Sequence, residues 1–156
     1  MFDLGVESFM AQFGIYAGTY LYCFLSGVIP VVNAEIFLIL AASMVSKPLL
    51  LPVLLLGTLG QMTAKVIIFL TGKGLFKLSY KRYEHKIKAT QEKLKKWENK
   101  LDLFVFVSAL TGFPPFYVTT IVLGTINYNF FRFFIVGFAG RFLRFGILML
   151  FPQLFR

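Results

Sequence analysis

Charged residues are scarce in this chain and absent from four long stretches. Only 15% of the 156 residues are charged, whereas about a quarter of a soluble domain is charged. No Asp, Glu, Lys or Arg occurs in residues 8–34, 36–46, 48–64 or 103–131. A helix that crosses a bilayer needs about 20 predominantly apolar residues. The sequence therefore predicts a multi-pass membrane protein and excludes a soluble domain.

Cysteine and histidine occur once each, as Cys23 and His85. A single cysteine excludes an internal disulfide. The chain has no Ser/His/Asp or Cys/His arrangement, no metal-ligand cluster and no phosphate-binding glycine loop. The sequence gives no oligomeric state. We therefore expect a protein that is not an enzyme and that holds no cofactor or metal.

Positive charge is concentrated in one linker. Ten of the 16 Lys and Arg residues lie between Lys73 and Lys100, and apolar residues recur among them every three to four positions. This pattern predicts a basic amphipathic helix over residues 73–103 that faces anionic lipid headgroups rather than nucleic acid. The positive-inside rule places this linker and Arg132 in the cytoplasm, which indicates a protein of the cell (inner) membrane.

The whole chain, residues 1–156, is interpreted as a single membrane domain. Residues 1–25 form an N-terminal apolar helix, and whether it spans the membrane or lies in its plane stays open. Repeat 1 covers residues 26–72 and repeat 2 covers residues 104–152, on either side of the linker. Each repeat is a hairpin followed by a transmembrane span, predicted over residues 53–71 and 133–152, and Pro152 is expected to end the second.

Two Gly/Pro segments interrupt apolar runs. Gly27 and Pro30 break the first run, and Gly112, Pro114 and Pro115 break the second. Both residue types break helices. Broken backbone at membrane depth is tolerated only where protein buries it or water reaches it. We interpret each segment as a re-entrant hairpin, with a kinked span as the alternative for the first.

The two halves repeat the same pattern. The hairpin motifs are 85 residues apart, and Gly57-Thr-Leu-Gly-Gln61 matches Gly137-Phe-Ala-Gly-Arg141 at an offset of 80. A hairpin returns to its own side and the next helix crosses once, so the second copy is inverted. Inverted repeats with broken helices are typical of transporters. The predicted fold class is an all-α integral membrane protein with an inverted repeat of re-entrant hairpins.

Four ionisable residues fall inside apolar segments: Glu35, Lys65, Arg141 and Arg144. Charge at membrane depth normally faces a bundle interior or an aqueous cavity. Arg141 and Arg144 share one helical face, and Glu35 is positioned to pair with one of the cations. One carboxylate against three cations leaves a net positive interior, which favours binding of an anion such as a lipid phosphate. The alternative is a purely structural ion-pair network.

The predicted substrate site adds polar residues near the hairpins to these four charges: Asn33, Gln61, Thr111 and Tyr117. Gln61 lies four residues before Lys65, so both side chains share one face of their helix.

The order of these motifs resembles the DedA/VTT (SNARE-associated Golgi protein) family. The resemblance covers roughly residues 25–150 and rests on Gly27-x-x-Pro30…Glu35, Gly57-x-x-Gly60, Gly72-Lys73-Gly74, and Gly112-Phe-Pro-Pro…Gly124…Phe130…Gly140-Arg141. It implies opposed re-entrant hairpins and movement of lipids between leaflets. Many bacterial members carry an acidic residue where this chain has Gln61, and two arginines where it has Thr111 and Tyr117. Only Glu35 remains of the residues implicated in proton coupling.

The leading hypothesis is a translocase or scramblase for a phosphate-bearing lipid, either a phospholipid or polyprenyl phosphate. One alternative is an ion- or proton-coupled transporter of a small solute, with Glu35 as the proton carrier. The other is a non-transporting membrane scaffold that binds its partners through the basic linker.

Overall fold

The structure, a computed structural model, describes the backbone of residues 2–155. It describes the side chains of residues 14–74, 77, 85, 89, 92 and 96–155. The backbone forms six α helices and a short 3-10 helix at Lys47–Leu49. The α helices are α1 (Phe2–Val28), α2 (Ala34–Met44), α3 (Leu50–Lys96), α4 (Glu98–Thr111), α5 (Phe116–Thr125) and α6 (Phe130–Leu154). The expectation of an all-helical protein is confirmed over this part of the chain.

Two helical segments are long and apolar enough to cross a membrane, Lys47–Gly74 and Phe130–Leu154. At 1.5 Å per residue their 28 and 25 residues extend about 42 and 37 Å, more than the roughly 30 Å of a hydrocarbon core. The apolar helices α2 and α5 have only 11 and 10 residues and reach about half that thickness. Both predicted spans therefore coincide with helical segments that are candidate membrane spans by length and composition.

The chain divides into two compact units. Unit 1 comprises Met1–Ala64 and Arg141–Arg156, and unit 2 comprises Lys65–Gly140. In unit 1 a buried apolar core draws on α1, α2, α3 and α6: Cys23, Ala34, Phe37, Leu38, Ala41, Ala42, Val53, Phe145 and Met149. In unit 2 the Phe69 ring stacks on Phe133, with centroids 4.6 Å apart, and Phe116 packs on the same Phe133 ring. Each unit therefore has its own packed interior.

The first predicted break lies between α1 and α2, which pack against each other. Pro30 occupies the turn at residues 29–33, whereas Gly27 still belongs to the last turn of α1. The Asn33 side chain accepts a hydrogen bond from the Glu35 N–H at 2.9 Å and so caps α2. A side-chain oxygen at this position satisfies a backbone donor that the helix leaves open.

The second break separates α4 from α5. Gly112 ends α4 in the left-handed conformation with φ 76°, which a residue without Cβ adopts at little cost. Pro114 and Pro115 follow in the turn. The Ser108 hydroxyl donates to the Pro114 carbonyl at 2.7 Å, and the Thr111 hydroxyl donates to the Val107 carbonyl at 2.7 Å. The Ser108 hydroxyl thus satisfies a carbonyl of the turn, which lies outside both helices and has no helical partner.

Four predicted boundaries differ from the structure. The N-terminal helix does not end at residue 25: α1 runs to Val28, with one non-helical residue at Gly14 (φ 71°). The first span starts at Leu50 rather than residue 53, because Pro52 is tolerated in the first turn of a helix, where its missing N–H would be unpaired anyway. The second span starts at Phe130 rather than residue 133. It also continues past Pro152 to Leu154, since a proline so close to the end disturbs few helical hydrogen bonds.

The predicted linker helix is not separate from the first span. Helix α3 is continuous from Leu50 to Lys96, and Trp97 is the residue that separates it from α4. The predicted boundary falls between residues 72 and 73, next to Gly72 and Gly74. A glycine inside a helix costs only about 1 kcal/mol relative to alanine, which is too little to end a helix that is favoured on both sides.

Matching glycines bring each span close to the helix that precedes its hairpin. A Cβ atom added to Gly60 would lie 2.4 Å from the Tyr20 carbonyl oxygen and 3.2 Å from the Phe24 nitrogen. A Cβ atom added to Gly140 would lie 3.0 Å from the Phe106 oxygen and 3.4 Å from the Leu110 nitrogen. In both halves a span glycine therefore meets a carbonyl and the backbone nitrogen four residues later.

The close approach at Gly60 predicts a position-specific stability loss. Gly60→Ala should lower the free energy of unfolding by about 1–3 kcal/mol, because the new methyl group meets a rigid backbone carbonyl. Gly74→Ala is the matched control on the same helix, where an added Cβ meets nothing within 4 Å. It should raise stability by up to about 1 kcal/mol. Thermal unfolding in detergent measures both, and equal midpoints for the two variants would contradict the packing.

Candidate functional site

An ion pair joins the first turn of α2 to the last long helix. One carboxylate oxygen of Glu35 accepts hydrogen bonds from Nε of Arg144 at 2.6 Å and from Nη2 at 2.5 Å. Both side chains are partly buried, 28% and 21% exposed. Both residues belong to unit 1. The expectation that Glu35 pairs with one of the cations is confirmed, and the partner is Arg144.

The pair holds the start of α2 against the middle of α6. Arg144 lies 14 residues after the first residue of α6 and 10 before the last, which is about 21 and 15 Å from the two ends. Nine residues further along α6, the Gln153 amide donates to the Ala42 carbonyl at 2.6 Å. The two contacts show that α2 runs beside α6 in the same direction, with Glu35 at the level of the α6 midpoint.

A second arginine adds positive charge beside this pair. Arg141 lies one turn before Arg144 on α6 and is only 9% exposed. Its guanidinium carbon lies 5.9 Å from the centroid of the Phe145 ring, a distance typical of a cation–π contact. The two arginines against Glu35 leave a formal charge of +1 on these three residues. Such charge among apolar helices makes these residues a candidate functional site.

Gln61 is the most buried polar residue among the predicted site residues of unit 1. It is 7% exposed, and its amide nitrogen donates to the Ser26 hydroxyl oxygen at 3.0 Å. The Ser26 hydroxyl in turn donates to the Cys23 carbonyl at 2.7 Å. Because that proton is committed, the amide orientation is determined. The Gln61 oxygen then accepts no hydrogen bond from the residues that the structure describes.

The remaining predicted residues lie in unit 2. Lys65 is buried, and its ammonium nitrogen lies 5.1 Å from the centroid of the Tyr117 ring. The Thr111 hydroxyl serves the second turn, where it accepts from the Phe113 N–H at 3.2 Å. The predicted set is therefore divided: Asn33, Glu35, Gln61, Arg141 and Arg144 belong to unit 1, and Lys65, Thr111 and Tyr117 to unit 2.

Comparison with protein families gives one match. The VTT domain family model matches residues 29–153, most of the chain. The protein belongs to the VTT-domain (DedA) family. The family resemblance inferred from the sequence is thus confirmed, and the chain is a VTT-domain membrane protein with apolar helices. Searches of the curated proteins and of the solved structures gave no match.

The VTT domain of this protein begins at the turn after α1 and includes every residue of the predicted site. Among the residues that the structure describes, no group of three or more His, Cys, Asp or Glu is arranged to hold a metal ion.

Sequence reasoning missed a polar cluster at the start of α6. Arg132 lies 3.2 Å from Asp102 and 3.3 Å from Glu98, measured from guanidinium nitrogen to carboxylate oxygen. The Tyr128 hydroxyl also donates to Asp102. The sequence carries a signal for this cluster, because Asp102 and Arg132 are the charged residues that flank the charge-free stretch 103–131. Because a hairpin within this stretch would bring its two ends together, opposite charges at those ends are positioned to pair.

The side-chain oxygen of Gln61, which accepts no hydrogen bond from the described residues, leads to a prediction about stability. Gln61→Met should leave the free energy of unfolding within about 1 kcal/mol of wild type, because it removes both a buried acceptor without a donor among the described residues and the donation to Ser26, and the two effects oppose each other. Ser108→Ala is the contrasting variant: it removes a buried hydroxyl that satisfies the Pro114 carbonyl. It should cost about 1–3 kcal/mol. Thermal unfolding in detergent tests the pair, and an equal loss in both variants would contradict the expected balance at Gln61.

Proposed function

We propose that this VTT-domain protein moves a phosphate-bearing lipid, a phospholipid or polyprenyl phosphate, between the two leaflets. The observation that carries the proposal is the Glu35–Arg144 ion pair at the midpoint of α6. If α6 spans the bilayer, this charged pair lies near the midplane, where charge is most costly. Because α2 begins after a break in the chain, its first turn places the Glu35 carboxylate at that depth. The charged residues there provide a polar path for a headgroup.

The second break supports re-entrant geometry within unit 2. Helices α4 and α5 have 14 and 10 residues, about 21 and 15 Å, and neither crosses a core of roughly 30 Å. The contact of Asp102 with Arg132 brings the beginning of α4 to the beginning of α6. The chain then enters through α4, turns at residues 112–115 and returns through α5 to its starting level.

The charge of the site supports an anionic headgroup. Arg141, Arg144 and Glu35 carry a formal charge of +1, which a phosphate monoanion would neutralise. Arginine binds phosphate through two parallel N–H donors, which adds geometric selectivity to charge attraction. The acyl or prenyl chains of the lipid need no protein site, because they stay in the surrounding hydrocarbon. A groove with a polar centre is therefore sufficient for the proposed activity, and no catalytic group is needed.

The proposal includes a topology. Each half would consist of a hairpin that returns to its own side and a span that crosses once, so the second half enters from the opposite face. The basic segment 73–103 would lie in the cytoplasm and the protein in the cell (inner) membrane, as the positive-inside rule favours. Anionic headgroups of that leaflet are the partners that its ten cationic residues would attract.

Reconstitution into liposomes tests the proposed function. Wild-type protein should move fluorescent phosphatidylethanolamine or radiolabelled polyprenyl phosphate between leaflets faster than empty liposomes do. Arg144→Lys keeps the positive charge but loses the two parallel N–H donors of the guanidinium. It should therefore lower the transfer rate by about tenfold, which corresponds to roughly 1.4 kcal/mol in activation free energy.

Arg132→Lys is the matched control, because Arg132 also pairs with carboxylates but lies at the end of α6. It should leave the rate within about twofold of wild type, since partly exposed ion pairs contribute little. Absence of transfer for both classes of lipid would overturn the proposal. Equal losses in the two Arg→Lys variants would show that the rate does not depend on the centre of α6.

A further inference from the structure

We infer that Glu35 competes with the substrate phosphate for Arg144. In the protein without lipid, the Glu35 carboxylate occupies the guanidinium edge that binds phosphate, and it leaves when the lipid arrives. This inference rests on the proposed function. It assigns Glu35 a role opposite to that of a substrate-binding residue or a proton carrier. Arg144 binds the headgroup. In the protein without lipid, the Glu35 carboxylate occupies the position on Arg144 that the headgroup phosphate would take.

The geometry of the ion pair supports competition. Glu35 contacts Arg144 through Nε at 2.6 Å and Nη2 at 2.5 Å. These two nitrogens form one edge of the guanidinium, and such an edge binds phosphate through two parallel hydrogen bonds. A carboxylate oxygen that takes both donors leaves neither for a phosphate in the same geometry. The two anions therefore exclude each other at this edge.

The position of Glu35 allows it to leave. It is the second residue of α2 and follows the turn at residues 29–33, where the Val31 side chain is 89% exposed. The first turn of a helix stabilises a negative charge through its open N–H groups. The Asn33 cap adds a fixed dipole there by accepting from the Glu35 N–H. A released Glu35 carboxylate thus keeps part of its electrostatic stabilisation.

Exchange of anions also keeps Arg144 neutralised throughout. If Glu35 left without a replacement, the charge of Arg144 would be stranded in a partly buried position, which is unfavourable. With Glu35 bound in the empty state and phosphate bound in the loaded state, Arg144 has an anion in both. The competitor lowers affinity for the lipid, and weak binding suits a site that must release its cargo on the other side.

The test compares Glu35→Gln with wild type in two measurements. The first is the half-saturating concentration of dihexanoyl phosphatidic acid that raises the unfolding temperature in detergent. Glu35→Gln should lower this concentration by roughly tenfold, within the usual range for coupled binding events. The second is the transfer rate in liposomes, which Glu35→Gln should increase severalfold at low substrate content. Glu98→Gln, which removes a carboxylate paired with Arg132, should change neither.

Two further variants keep the inference open to refutation. Glu35→Asp retains the charge on a shorter side chain, so it should shift both readouts in the same direction as Glu35→Gln but less, and it serves if Glu35→Gln does not fold. Glu35→Gln combined with Arg144→Gln should abolish the response to phosphatidic acid, because the receiving edge is gone.

The outcomes separate the two proposals. Tighter phosphatidic acid binding by Glu35→Gln supports the competitor role. Weaker or unchanged binding by a folded Glu35→Gln overturns it, while wild-type transfer in liposomes leaves the proposed function standing. Lack of wild-type transfer overturns the proposed function, and the binding measurement in detergent still decides between competition and a merely structural ion pair.

Discussion

Hydrocarbon offers neither hydrogen bonds nor counter-ions, and this constraint applies to both helix breaks and to the ion pair of this protein. Each helix that stops inside an apolar stretch leaves open backbone groups that the protein itself must satisfy. Asn33 does so at the start of α2, and Ser108 does so in the turn before α5. The same rule applies to charge, because Glu35 at the first turn meets Arg144 on the neighbouring helix. The breaks and the polar residues therefore depend on each other.

An ion pair among apolar helices is a poor means of stabilising a fold, since apolar side chains of similar size often do as well or better. Its presence at the middle of α6 therefore argues for a role in binding or specificity. Gln61 supports the same view, because it brings a carbonyl oxygen without a described donor into a buried position. A membrane protein selected only for stability would carry apolar residues at both places.

Much of the fold could be predicted from where charges and helix breakers fall. The charge-free stretches predicted the two spans, and Gly/Pro pairs predicted both turns to within a few residues. The pairing of Glu35 with an arginine followed from the scarcity of carboxylates at membrane depth. These features are local or depend on large free-energy differences, so they can be predicted from sequence patterns.

Other features depend on small free-energy differences or on contacts between residues that are distant in the sequence. Sequence patterns did not predict them. The continuity of α3 through Gly74 and of α6 through Pro152 reflects a balance of about 1 kcal/mol for glycine and a proline near a helix end. The Ser26–Gln61 hydrogen bond joins residues 35 apart, and no periodicity indicates it. The division of the site residues between two compact units likewise follows from tertiary packing.

The glycine contacts show that the two halves are unequal in reach. Helix α1 continues eight residues past its contact at Tyr20, whereas α4 continues five past its contact at Phe106. Relative to its own span, the first hairpin therefore extends three residues, about 4.5 Å, farther. In an inverted repeat, identical halves would make the two end states of alternating access equal in energy. If the proposed transport uses such an exchange, halves of unequal length remove that degeneracy, and the empty protein would then favour one orientation.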